Sequence, residues 1–196
     1  MAREILTVGH STHSIETFLG LLSEARVGTV ADVRRYPGSR RHPHFGAPAL
    51  AAALREAGMR YEHLPQLGGR RTPRRDSPNR AWRVDAFRGY ADHLSTREFA
   101  SGLEQLEALA GADRSAIMCA EALWSRCHRR LLADVLLLRG WRVLHLLPDG
   151  RLREHELTPF AIAAENSLPR YPEGAPARPD PHQRALWESG ETTGRG

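Results

Sequence analysis

The run Ala116-Ile117-Met118-Cys119-Ala120-Glu121-Ala122-Leu123-Trp124-Ser125-Arg126-Cys127-His128-Arg129 decides how this chain is read. It opens on three apolar residues, turns polar without a glycine, and leads into an amphipathic segment from Leu131 to Leu138. That order predicts a buried strand, a loop and a helix. The loop carries two thiols, a carboxylate, an imidazole and two guanidiniums at one strand end. In open parallel sheets ligands bind in the crevice beyond the carboxyl ends of the strands. The loop is therefore expected to floor an active site.

Upstream of it the pattern repeats. Ile5-Leu6-Thr7-Val8 reads as a strand ending at Gly9-His10-Ser11, and Ser14 is placed to cap a helix with Ile15, Phe18, Leu19, Leu22 and Ala25 on one face. Thr29 to Val33 is a second strand, so the first thirty-odd residues form a βαβ unit with parallel strands. Pro48 suits the first turn of a second helix with Leu50, Ala53, Leu54 and Ala57 inward, and Tyr61 to Leu64 reads as a third strand. The segment from Arg70 to Arg83 is polar, holds Pro73 and Pro78, and is expected to be a mobile loop. Helical pattern returns from Val84 to His93. It returns again after Thr96, with Phe99, Leu103, Leu106 and Leu109 inward. Beyond the quoted run, Arg142 to Leu147 is expected to be the last strand, Pro148-Asp149-Gly150 a turn, and Leu157 to Ala164 a short helix. The expected architecture is a single α/β domain over residues 1–167, a mostly parallel β-sheet flanked by helices. A Pro-rich extended tail over residues 168–196 follows, in which Leu186-Trp187 could dock on the domain.

Bulk composition narrows the function. The chain has 196 residues, 41% of them hydrophobic, enough for one core and too many for a disordered chain. All 28 basic side chains are arginine, and the formal net charge is +5. Arginine throughout reads as a compositional bias, but its clustering does not. Two cysteines in one loop are not a disulfide framework. No apolar run approaches the roughly 20 residues needed to cross a bilayer, and the start of the chain lacks the apolar core of a signal peptide. A cytoplasmic, reduced protein with no membrane partner is expected.

Gly9-His10-Ser11, Asp32-Val33-Arg34 with Pro37 and Ser39-Arg40, Leu67-Gly68-Gly69, and Cys119-Ala120-Glu121 with Cys127-His128-Arg129 together resemble the signature of the domain-of-unknown-function family 488. The resemblance runs from about Ile5 to His145. One departure is Trp124, where the family often carries Pro. The resemblance implies an α/β fold and action on nucleic acid. For part of the family, it implies DNA base excision in defence against phages.

The residues themselves allow several chemistries. Asp32 and Glu121 fall at the carboxyl ends of predicted parallel strands. A pair of carboxylates serves cleavage at an anomeric carbon. The alternative for Asp32 is a structural ion pair with Arg34 or Arg129. His128 and His10 could act as acid, base or phosphate ligand, or merely bond backbone. Cys119, before a helix and near arginine, could be a nucleophile, as in rhodanese-like sulfurtransferases and cysteine phosphatases. Against that stand the absence of glycine in the loop and Glu121, which would repel an anion. Cys127 reads best as a packing residue. Zinc held by Cys119, Cys127, His128 and one of His42, His44 or His63 fits no standard ligand spacing. The site is therefore expected to work without metal or cofactor.

For binding DNA, either as a duplex with a flipped nucleotide or as a single strand, the candidates are Arg34, Arg35, Tyr36, Ser39, Arg40, Arg41 and His44 from one loop and Arg70 and Arg71 from another. Trp124 and Arg129 of the quoted run join them. Tyr36, Phe45 and Trp82 interleave with the charge and could stack on bases, as could Trp124. Trp124 could equally be an anchor under the loop. The first reading is a DNA glycosylase-type enzyme. The alternatives are a thiol enzyme and a nucleic-acid-binding module without catalysis.

Overall fold

The structure, a computed structural model, describes residues 3–38, 41–164 and 166–175. Ser39, Arg40 and the segment holding Leu186-Trp187 lie outside the described residues. Six strands form the main sheet: β1 (Glu4–Gly9), β2 (Thr29–Asp32), β3 (Arg60–His63), β4 (Ser115–Cys119), β5 (Arg142–Leu146) and β6 (Leu152–Glu154). Their order is β3-β2-β4-β1-β5-β6. All neighbours are parallel except β6, which runs antiparallel to β5.

Among the described residues five α-helices cover the two faces: α1 (Ile15–Glu24), α2 (Ala47–Glu56), α3 (Asp85–His93), α4 (Arg97–Ala112) and α5 (Arg129–Leu138). Alternate strand residues point to opposite faces, so each inner strand feeds two cores. Leu6, Val8, Val30, Ala116 and Met118 meet Phe18 and Leu22 of α1 and Leu50 and Leu54 of α2. Ile5, Ala31, Ile117 and Val143 meet Tyr90, Phe99, Leu103, Leu106 and Leu132 from α3 to α5. The caps are local chemistry. Ser14 accepts the Thr17 N–H at the start of α1, and Thr96 accepts the Phe99 N–H at the start of α4.

The strand order has a functional consequence. From β1 the chain crosses β4 to reach β2; from β4 it crosses β1 to reach β5. The two crossovers leave the sheet in opposite directions from adjacent strands, which opens a crevice at their carboxyl ends. The loops after β1 and β4 sit on that crevice.

Several expectations need correction. β5 is not the last strand: the Pro148-Asp149-Gly150 turn returns the chain as β6, whose residues are all exposed. Leu157 to Ala164 is not a helix. The Thr158 N–H is held by Asp134, and β7 (Ile162–Ala163) pairs with β8 (Pro169–Arg170) instead. The packed fold therefore runs past residue 167. Tyr171 is fully buried, donates its hydroxyl to Asp134 at 2.7 Å and gives its N–H to Asn79. The Arg70–Arg83 segment is irregular but pinned, since Asp92 accepts from the Arg74 N–H, the Ser77 hydroxyl and the Asn79 amide. Ala57 of the α2 region is exposed rather than inward. Among the described residues no helix is long and apolar enough to cross a membrane.

Candidate functional site

Parallel pairing brings the ends of β1, β2 and β4 level. Gly9 lies opposite Cys119, and Asp32 opposite Met118. Beyond the strands the bonding continues: His10 and Ser11 donate to the Cys119 and Ala120 carbonyls, and Val33 donates to Met118. The two loops are thus zipped together for two residues past the sheet. Above them opens a cavity of about 500 Å³. Its floor is His10, Cys119, Cys127 and His128. Its basic wall is Arg34, Arg35, Arg70 and Arg126, with Tyr36, Val84 and Phe87 beside them, and Glu121 lines both this space and an adjoining hollow. Glu121 is exposed.

The close approach of the loops needs two glycines. A Cβ on Gly9 would stand 1.9 Å from the Glu121 carbonyl oxygen, and one on Gly69 would stand 2.8 Å from His128 Nδ1. Arg129 completes the brace. Its guanidinium is buried, donates to the Glu121 and Ala122 carbonyls, and places Nε 3.4 Å from Cys127 Sγ. It holds the loop and is not a nucleic-acid contact.

Asp32 does not share the cavity as a free carboxylate. It is fully buried and accepts from the Arg34 backbone N–H, from Arg34 Nε and Nη2 at 2.9 and 2.6 Å, and from the Tyr61 hydroxyl at 2.8 Å. Its four partners use up its acceptor sites. Asp32 is a positioning residue for Arg34, and the expected pair of catalytic carboxylates reduces to Glu121. Tyr61 is raised above its ordinary range, by burial first and then by the Asp32 charge.

His10 is stacked on Phe45 with ring centroids 4.1 Å apart. Nδ1 donates to the Ser11 carbonyl, so Nε2 is left to accept from Arg34 at 3.3 Å. Burial, then the Arg34 charge, lower its pKa from 6.5 to about 4. A neutral His10 cannot act as the cationic anchor for a leaving base.

The thiols meet at His128. Cys119 Sγ and Cys127 Sγ lie 3.9 and 3.6 Å from its Nδ1. Its Nε2 is buried and has no hydrogen-bond partner among the described residues. The bond to Cys127, burial and the Cys127 charge raise the Cys119 thiol well above its ordinary range. Burial pushes Cys127 up too, but the Cys119 thiol, His128 and Arg129 outweigh it and hold Cys127 well below. With His128 Nδ1 at 3.6 Å and Arg129 Nε at 3.4 Å from its sulfur, Cys127 is more than packing. In the turn before α5 the Arg126 and Cys127 amides donate to the Leu123 and Trp124 carbonyls.

The arginines divide into two groups. Arg34, Arg35 and Arg70 line the cavity, with Tyr36 exposed beside Arg35. Arg71 does not. It is locked to Glu98 and to the Gln66 and Gly68 carbonyls. Arg41 lines a shallower adjoining hollow with Ser11, Ala120 and Glu121. His44 donates to the His13 carbonyl and packs on Phe45 outside the cavity. Trp124 is buried flat against His145, centroids 4.0 Å apart, and Trp82 is buried among Phe87, Phe160 and Tyr171. Phe45 is buried as well. None of these three rings is free to stack on a base, which leaves Tyr36 as the exposed aromatic of the wall.

Arg126 and Phe87 were not foreseen. Arg126 lies in the quoted run, and position explains the exchange with Arg129: the first residue of α5 turns inward, while the turn before it stands out. No curated protein and no solved structure matches the chain. A family model does: with residues 14–136 matched, the chain belongs to the family described as domain of unknown function DUF488.

Proposed function

We propose that this protein is a DNA-acting hydrolase of the N-glycosylase type, with Glu121 as its catalytic carboxylate. The observation that carries the reading is that Glu121 lines one cavity with three arginines, Arg35, Arg70 and Arg126, while Arg34, tied to Asp32 and His10, braces its base. Phosphate-bearing ligands are recognised by clustered guanidiniums, and the attraction is independent of sequence. A cavity of about 500 Å³ falls within the range of small-ligand pockets, so a single extruded nucleotide is a suitable occupant. Its backbone phosphates would meet the arginines, and its base the Tyr36 and Phe87 side. Glu121 then either stabilises the oxocarbenium-like sugar or activates the water that attacks it. With His10 neutral, the charge of the departing base falls to the guanidiniums. A bulky modified base in phage DNA is the substrate that fits the family resemblance.

The test is incubation with modified and unmodified DNA, followed by assay for abasic sites and free base. The reading expects both products in equal amounts, and loss of both in Glu121→Gln with Cys119→Ser still active. Strand binding without base release from any substrate favours a binding module. Loss of activity in Cys119→Ser with Glu121→Gln intact favours thiol chemistry.

A further inference from the structure

We infer that Cys119, Cys127 and His128 form a binding site for a zinc-like divalent ion, with one coordination position open to the cavity. The two sulfurs and an imidazole nitrogen lie within 4.8 Å of one another. A tetrahedral ion takes sulfur at about 2.3 Å and nitrogen at about 2.0 Å, which sets S···N edges of roughly 3.5 Å and an S···S edge of roughly 3.8 Å. The observed S···N separations are 3.6 and 3.9 Å, close to that edge, and the S···S separation lies within 4.8 Å.

The donor set selects the ion. Two thiolates and an imidazole suit zinc and other borderline metals, and are poor ligands for magnesium or calcium. The surroundings fit as well. Space beside His128 Nδ1 is kept clear by Gly69, where a Cβ would intrude to 2.8 Å. Arg129 Nε sits 3.4 Å from Cys127 Sγ, the kind of outer contact that orients a ligating sulfur. All three residues line the cavity. Among the described residues no fourth His, Cys, Asp or Glu joins the group. Structural zinc sites close with four protein ligands, whereas sites with three keep a position for water or substrate. The spacing along the chain, which fits no standard zinc pattern, argued against these three residues in the sequence. The eight-residue interval between the cysteines spans a loop whose ends Gly9 and Arg129 draw together.

The inference does not rest on the glycosylase reading. Its test uses full-length protein without an affinity tag, purified under reductant, treated with chelator and loaded with zinc or cobalt. One equivalent of zinc is expected to survive desalting, and cobalt is expected to give sulfur-to-metal charge-transfer bands. Cys127→Ser and Cys119→Ser should each weaken those bands and lose zinc at least tenfold more readily, while Glu121→Gln binds as wild type whether or not it releases base. Should a serine variant fail to fold, wild-type protein suffices: one equivalent of zinc should slow alkylation of both thiols. Only trace zinc after loading, together with alkylation unchanged by zinc, overturns the site. So does equal retention by folded serine variants.

Discussion

The Cα of Gly9 faces the carbonyl oxygen of Glu121 so closely that a Cβ there would stand 1.9 Å from it. The end of β1 and the loop after β4 are therefore fitted to each other with no room for a side chain. Gly9→Ala must push the Glu121 segment outward and strain the Arg129 brace. Overpacking of this kind costs about 1–3 kcal/mol. A lowered melting temperature and loss of base release in the same sample are expected, with the α-helical circular dichroism kept.

Asp32 and Arg34 give the second prediction. The pair is buried, with 0% and 7% of the side chains exposed, and its ions are 2.6 Å apart. Removing one partner of a buried pair leaves an unpaired charge and costs about 3–5 kcal/mol. Asp32→Asn should fall in this range by chemical denaturation, as a structural loss. A variant of wild-type stability with only its rate reduced would assign Asp32 to the chemistry.

The exchange of roles between Arg126 and Arg129 can be read from salt dependence. Arg126 is exposed on the cavity wall, so Arg126→Ala should keep wild-type stability and weaken DNA binding. The slope of log affinity against log salt should fall by about 0.9. Arg129→Ala should instead destabilise the fold, because the Glu121 and Ala122 carbonyls lose their donor.

A buried relay behind the loop predicts a pH effect. Asp134 accepts from His155 Nε2 at 2.9 Å, His155 Nδ1 meets His145 Nε2 at 3.0 Å, and His145 Nδ1 meets the Thr7 hydroxyl at 2.7 Å. Burial first, then the neighbouring His155 and Arg129 charges, lower His145 from 6.5 to about 2. Its contribution to stability is fully present above pH 6.5. Below that, the unfolded chain takes up a proton that the folded chain refuses, and stability falls by up to about 1.4 kcal/mol per pH unit. His145→Gln should flatten this slope between pH 6.5 and 4. An unchanged slope would place the titration elsewhere.

These residues also show how far the sequence could be read. The inner strands are short apolar runs buried on both faces, and their signal survives in Ile5 to Val8, Thr29 to Val33 and Ala116 to Met118. β6 carries no such signal, because Leu152, Arg153 and Glu154 are all exposed. The apolar residues of 157–164 suggested a helix, but they follow a tether from Asp134 to Thr158 that no local pattern reveals. The carboxylates at the strand ends were visible, yet Tyr61, which helps occupy Asp32, comes from the neighbouring strand, and strand order is not a local property. Arg71 and Arg129 look like their neighbours in composition. Their partners, Glu98 and the loop carbonyls, decide that they brace rather than bind.

The most direct test is to measure DNA affinity and the single-turnover rate of base release in wild type and Glu121→Gln. Affinity should be kept, because the arginine wall is untouched, while the rate falls by about 10²–10⁴-fold, as expected when a catalytic carboxylate is neutralised. A variant that releases base at the wild-type rate would contradict the account.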